Sequence, residues 1–199
     1  MKIAVVAPKV PKNVKKLTDG RVIYAVDGAV KDLIKNNIKI DLAIGDFDSL
    51  KDKKILNNLK YIKLSQNKDI SDTHYALKYA YEYTDDVILV GGIKGNRVDH
   101  LIANLLLFEK YNNLLIFDDN NTIKRLEVGQ YTIPKEEFKY LSIFPLLNTK
   151  LTLTGTMYPL NNETLYQYDT LGLSNEIISQ SANLIIDSGV ILLVQSKNK

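Results

Sequence analysis

The sequence of 199 residues contains no cysteine, only two histidines and only three arginines among its 26 basic side chains. Without cysteine there is no thiolate nucleophile, no thiolate metal site and no disulfide framework, and a reducing cytosolic setting is the simplest expectation. A one-signed charge is also missing: 26 basic against 23 acidic residues leave a net charge of +3, too little to argue for a nucleic-acid or membrane partner. Long apolar runs are absent as well. The opening Met1-Lys-Ile-Ala-Val-Val-Ala-Pro8 has five apolar residues between Lys2 and Pro8, short of a secretory core of about 7–15 residues or a membrane span of about 20. A soluble, cytoplasmic protein is expected.

What is present is an ordinary globular composition, 45% hydrophobic and 25% charged, sufficient to bury about 70% of the unfolded chain's surface in one domain or two small ones without a metal or disulfide staple. The patterning changes along the chain. Residues 1–128 carry 21 basic and 17 acidic groups, and 14 of those acids are Asp, the shorter carboxylate suited to turns and metal sites. There, short runs rich in β-branched residues (Ile3–Ala7, Val22–Val26, Leu42–Ile44, Tyr61–Leu64, Val87–Val90, Leu114–Phe117) alternate with helical spacings at Ala29–Asn36, Ser71–Tyr83 and Asp99–Tyr111. On the second of these, His74, Leu77, Lys78 and Tyr81 share a face. Strand and helix in turn predict a Rossmann-like α/β domain with a parallel sheet over residues 1–127. Residues 128–199 show instead six short runs, Gln130–Ile133, Tyr140–Phe144, Lys150–Thr154, Leu165–Tyr168, Ala182–Ile186 and Val190–Gln195, separated by Pro, Gly, Asn and Asp. They predict a small antiparallel β-sandwich or barrel.

Three clusters in the first part point to chemistry. In Ile44-Gly-Asp-Phe-Asp-Ser-Leu50 a strand ends in two carboxylates at i and i+2. An extended local backbone would aim Asp46 and Asp48 the same way, as a hard cation such as Mg²⁺ requires, while an Asp-rich turn, or capping of a following helix by Asp48 or Ser49, accounts for a lone Asp-x-Asp more simply. In Lys68-Asp-Ile-Ser-Asp72 any of Asp69, Ser71 and Asp72 can cap the next helix, yet a lysine between acids also suits phosphate plus metal. The stretch Gly91-Gly-Ile-Lys-Gly-Asn-Arg-Val-Asp-His100 is a glycine-rich strand-to-helix turn whose main-chain N–H groups and Arg97 suit an anion, although its spacing meets no named nucleotide motif. Val26-Asp-Gly-Ala29 and Leu171-Gly-Leu-Ser-Asn-Glu176 read individually as turns, and Tyr158 and Tyr166 as strand aromatics. His74 has no second histidine at i+4 to share a metal and reads as a helix-face residue.

Taken together, Asp27-Gly-Ala29, Gly45-Asp-Phe-Asp-Ser49, Lys68-Asp-x-x-Asp72, Gly91-Gly-x-x-Gly-x-Arg-x-Asp-His100 and Gly172-Leu-Ser-Asn-Glu176 resemble the thiamine pyrophosphokinase (thiamin diphosphokinase) family over nearly the whole chain. The resemblance implies an α/β domain for ATP and metal, a β-sandwich that completes the thiamine site across a homodimer, and transfer of the pyrophosphoryl group of ATP to thiamine. By position it implies Mg²⁺ on Asp46, Asp48 and Asp72, with Asp69 and Asp99 orienting the metal shell or the attacking hydroxyl. Asp69, Asp72, Arg97 and Asp99 would be catalytic. Asp27, Gly28, Lys68, Gly92, Arg97 and His100 would meet ATP, and Asp99, Ser174 and Asn175 would meet thiamine. The chain departs from the family's usual residues at Ser71, His74 and Tyr158, and at Asn96, where a glycine is common.

Two other readings compete. Asp46-Phe-Asp48 after a strand is also similar to haloacid-dehalogenase-type phosphohydrolases, with Asp46 as nucleophile and Asp118-Asp119 as the later acidic pair. Leu50 stands where that family usually has Thr or Val, and the reading leaves the Arg97 loop and the second part of the chain unused. A non-catalytic thiamine or nucleotide sensor on the same fold is the third.

Overall fold

The structure, a computed structural model, describes residues 1–197, which divide into two units after Asp119. In the first, six strands form one parallel sheet in the order β6-β5-β1-β2-β3-β4. They are β1 (Ile3–Val6), β2 (Val22–Val26), β3 (Leu42–Gly45), β4 (Tyr61–Lys63), β5 (Val87–Val90) and β6 (Leu115–Phe117). Every residue of β1 and β5 is buried, the signature of central parallel strands covered on both faces. Between the strands lie α1 (Val14–Leu17), α2 (Ala29–Lys35), a 3₁₀ helix (Lys53–Asn58), α3 (Asp72–Tyr81) and α4 (Val98–Leu106), with a second 3₁₀ turn at Leu107–Glu109.

Helix α3 buries Thr73, Ala76, Leu77 and Ala80, a face one residue away from the expected His74, Leu77, Lys78 and Tyr81. The small side chains at 73, 76 and 80 let the helix approach the sheet closely, which Lys78 and Tyr81 would prevent. The helix expected over 99–111 ends at Leu106, and Leu107 and Phe108 enter the core from the 3₁₀ turn.

The second unit contains two antiparallel sheets. β7 (Asn121–Leu126), β14 (Ile191–Ser196), β9 (Tyr140–Pro145) and the two-residue β12 (Asn175–Glu176) form one; β8 (Gly129–Pro134), β13 (Ser181–Ser188), β10 (Thr149–Thr154) and β11 (Leu160–Leu165) form the other. Alternation sends Ala182, Leu184 and Ile186 of β13, Leu151 and Leu153 of β10, Leu141 and Ile143 of β9, and Ile191 and Leu193 of β14 into one shared core. Strand β7 carries no alternation strong enough to announce it, and its pairing with β14 along six residues makes it part of this unit. That is why the division falls after Asp119 rather than after residue 127. The run expected at Leu165–Tyr168 is a correction: the strand precedes it, over Leu160–Leu165, and Tyr166 begins a turn closed by Asp169, whose N–H donates to Tyr166 O at 2.9 Å and whose carboxylate accepts from Tyr166 N at 2.8 Å. Four of the six residues of β11 face solvent, so its sequence carries no apolar signal.

Leu77 is fully buried in α3, and Ser71 caps that helix by accepting the His74 N–H at 3.2 Å. Urea unfolding should show a loss of about 2–5 kcal/mol for Leu77→Ala and of about 1 kcal/mol for Ser71→Ala. Equal losses would contradict the assignment of one as core and the other as cap.

Candidate active site

Because all six strands of the first sheet are parallel, their carboxyl ends share one edge, and the order reverses between β1 and β5, where open α/β sheets bind ligands. The motif residues of this unit follow from that edge. Strand β2 runs into Asp27, β3 into Asp46, β4 into the loop holding Lys68, and β5 into Gly91-Gly92.

Asp27, Asp46 and Asp48 each offer a carboxylate oxygen, all within 4.8 Å of one another. The backbone between Asp46 and Asp48 is not extended as expected: Phe47 lies in the left-handed region at φ 58° with its ring buried, packed edge-on at 6.0 Å against Tyr61. The buried ring anchors a tight turn, and the turn converges the flanking carboxylates. Asp48 N–H donates to Asp46 Oδ1 at 3.1 Å, and Ser49 Oγ donates to Asp27 Oδ2 at 2.7 Å. Neither Asp48 nor Ser49 caps a helix; Asp52 caps the following 3₁₀ turn. Gly45 leaves the Asp27 backbone room, since a Cβ there would stand 3.0 Å from Asp27 Cα. Asp27 Oδ1 is buried and has no hydrogen-bond partner among the described residues. An orphaned carboxylate oxygen within an all-oxygen donor set is what a hard divalent cation satisfies, so these residues fit Mg²⁺. The set includes Asp27, which the resemblance assigned to ATP.

Asp72, the third ligand implied by the resemblance, joins this cluster through Lys68. Lys68 Nζ lies 3.0 Å from Asp72 Oδ1 and 3.4 Å from Asp46 Oδ2. The Asp48 N–H and, against the effect of burial, Lys68 hold the Asp46 carboxyl below its ordinary range. Burial pushes Asp72 up despite Lys68, with the Asp46 and Asp27 charges adding to the rise. Lys68 is raised although burial opposes it, because two carboxylates favour its charge. Asp69 is exposed in the turn before α3. His74 packs edge-on against Tyr111, and burial followed by Lys110 lowers its pKa.

The glycine loop borders a cleft of about 270 Å³ whose lining includes Lys9, Thr73, Gly92, Arg97, His100 and Asn104. Gly91 and Gly92 are left-handed, at φ 82° and 77°, which only glycine adopts without penalty. Asn96 is not left-handed, so the residue found where the family often has glycine adds no strain. Arg97 grips Asp99 with both arms of its fork, at 2.5 and 3.2 Å, and this bond lowers the Asp99 pKa below its ordinary value. Sequence reasoning missed Lys94, which reaches Asp119 at 3.0 Å and the buried Asp118 at 3.6 Å. It also missed Asn104, whose only signal was a lone amide in an apolar helix.

In the second unit, Ser174 is exposed at φ 57°, its N–H donating to Ser142 Oγ at 2.9 Å. Asn175 is buried. Its Oδ1 accepts from the N–H groups of Tyr158 and Glu176 at 3.1 and 2.9 Å, and its Nδ2 donates to Tyr158 O at 2.6 Å. The amide is therefore engaged within the chain and holds Tyr158, a residue that is 64% exposed.

Lys68→Met tests the carboxylate cluster. The lowered Asp46 pKa stabilises the fold above the ordinary value of about 3.9, and that contribution disappears as pH falls through the folded value. The raised Lys68 pKa stabilises below its own ordinary value and is lost only at high pH. In chelator, the variant should therefore lose most stability near neutral pH and progressively less as Asp46 and Asp72 protonate on acidification. A deficit independent of pH would show that Lys68 contributes through packing alone.

Comparison with known proteins gives these residues a setting. Residues 14–117 match the family profile described as thiamin pyrophosphokinase, catalytic domain, and residues 130–191 match that of its vitamin B1 binding domain. The thiamine pyrophosphokinase of Bacillus subtilis (strain 168) is 35% identical over 165 residues, covering 77% of each chain. The crystal structure of thiamine pyrophosphokinase from Bacillus subtilis superposes with a TM-score of 0.90 at 29% identity, covering both chains completely. That of Geobacillus thermodenitrificans gives 0.88 at 28%, covering all of this chain and 99% of the other. The chain belongs to the thiamin pyrophosphokinase family.

Proposed function

We propose that this protein transfers the pyrophosphoryl group of ATP to the hydroxyethyl oxygen of thiamine. The convergence of Asp27, Asp46 and Asp48 beside Lys68 at the sheet edge is the observation that carries the site. The hydroxyl oxygen bonds to the β-phosphorus and gives up its proton, the bridge between the α- and β-phosphates breaks, and AMP leaves. Asp46 and Asp48 would hold Mg²⁺, with Asp27 as a further donor, while Asp72 is steadied by Lys68. A divalent cation held there would supply positive charge against the phosphates. Lys68 and Arg97 offset the charge that develops on the transferring group, and the left-handed Gly92 lets main chain approach a phosphate. Asp99, paired with Arg97, orients the thiamine hydroxyl in this reading. Gly28, beside Ser49, and His100, in the cleft with Arg97, complete the nucleotide contacts. The first unit is a Rossmann-like ATP domain. The second is a sandwich that offers thiamine the exposed Ser174, with Asn175 acting through Tyr158.

A homodimer is part of this reading. Val98, Ile102 and Leu106 form an exposed apolar stripe at i, i+4 and i+8 on α4, and the second unit exposes Tyr168, Leu171 and Ile178, more apolar surface than isolated single side chains provide. Among the described residues no helix is long and apolar enough to cross a membrane.

The deciding experiment incubates the protein with ATP, Mg²⁺ and thiamine and separates the nucleotides. AMP with thiamine diphosphate is expected; ADP or free phosphate would defeat the reading, and trapped phosphate on Asp46 would favour the phosphohydrolase. Asp48→Asn should keep the fold by circular dichroism but lower Mg²⁺ affinity, read by calorimetry, about 10–100-fold. Arg97→Lys should lower kcat about a hundredfold, because a bidentate fork becomes a point charge. A change confined to the thiamine KM would show that Arg97 has a different task.

A further inference from the structure

Helix α4 leaves an apolar face uncovered. Its Val98, Ile102 and Leu106 are 63%, 53% and 63% exposed, while its one fully buried residue is the amide Asn104, at 4%, between half-buried Leu101 and Leu105. Burying an amide is unfavourable unless it is hydrogen-bonded, and Asn104 Nδ2 donates to Gly92 O at 2.7 Å. The approach is so close that a Cβ on Gly92 would stand 2.8 Å from that nitrogen. Glycine at 92 thus suits the turn by its left-handed φ, and any side chain there would displace the Asn104 amide.

A peptide unit is planar, with its C=O and N–H opposed. Fixing the Gly92 carbonyl on α4 therefore also fixes the direction of the Ile93 N–H and the path of the loop that follows. The other end of the turn is fixed separately, since Gly91 N–H donates to Phe117 O at 2.7 Å and Lys94 pairs with Asp118 and Asp119. Asn104 also lines two clefts. It shares one of about 270 Å³ with Gly92 and Arg97, and an adjacent one of about 290 Å³ with Ser71 and Asp99, His100 being common to both.

We infer that Asn104 is a positioning residue: through the Gly92 carbonyl it holds the loop Gly91–Arg97 in the form that receives the nucleotide phosphates. The inference rests on the proposed function, which places those phosphates at this loop. Without the bond the loop must be ordered by the nucleotide itself, and the entropy of that ordering is subtracted from ATP affinity. Thiamine affinity is untouched by this route.

The test is Asn104→Leu, which removes the donor at nearly constant volume without adding charge, with Asn104→Ala as the second variant if leucine prevents folding. The KM for ATP and the calorimetric Kd for ATP with Mg²⁺ should rise about tenfold, with the thiamine KM within about twofold of the original. Hydrogen exchange should accelerate in peptides covering 91–97 while those of β1 and β5 keep their protection. Equal rises in both KM values, or exchange accelerating throughout the first unit, would reduce Asn104 to a stability residue and overturn the inference, as would unchanged ATP binding. Unmutated protein that neither binds ATP nor forms AMP would overturn the functional reading itself. The two failures are therefore distinguishable.

Discussion

Everything in the first unit depends on forcing like charges together. Three carboxylates offer oxygens within 4.8 Å, a fourth is joined to them through one lysine, and burial works against the ionisation of Asp72. A flexible chain would separate such groups. Here each carboxylate stands at or just beyond the end of a buried parallel strand, or on the first turn of α3, and the hydrogen-bonded sheet determines the distances. The left-handed backbones of Asp27 and Phe47 are part of the cost, and burial of Phe47 and the Asp27 N–H to Ile44 O bond at 2.9 Å offset it. A site held this way is organised in advance, which is the condition for catalysis by positioning and electrostatics.

The glycine loop after β5 obeys the same logic with main chain in place of carboxylates. It leaves β5, the neighbour of β1 across the point where strand order reverses, and is tied to β6 by the Gly91 N–H and to the acidic residues after β6 by Lys94. Among the described residues Arg97, by contrast, pairs with Asp99, two residues away, and both side chains are largely exposed. The second unit separates neighbouring residues in a similar way: Ser174 faces solvent while Asn175 is consumed in holding Tyr158, so one supplies a surface and the other its rigidity.

Legibility in the sequence followed the strength of the local signal. The six parallel strands were readable because continuous β-branched runs such as Val87–Val90 have no comfortable alternative to a buried strand. Strand β7, with its basic pair Lys124-Arg125, and strand β11, mostly solvent-facing, were unreadable because pairing rather than burial makes them strands. The face of α3 was misjudged by one residue because Thr73 and Ala80 carry little hydrophobic signal, yet close approach to the sheet selects small side chains. Of the competing caps before that helix, geometry chose Ser71.

By itself the sequence determined the family, the alternation that builds a parallel sheet, and the residue types of the site, because these are properties of motifs a few residues long. Which carboxylates meet was decided only by the tertiary structure. Asp27 is separated from Asp46 by a helix and a strand, and only pairing of β2 with β3 brings the ends of those strands side by side. Asp72, spaced four residues from Lys68, meets it because the cap on Ser71 starts the helix at that point. Asn104 shows the same limit most clearly: a polar residue in an apolar helix reads as an exception until the fold sets a glycine carbonyl 2.7 Å from its amide. Local sequence specifies backbone preference and side-chain chemistry, but distances between residues far apart in the chain are set by strand register and packing, which no local window contains.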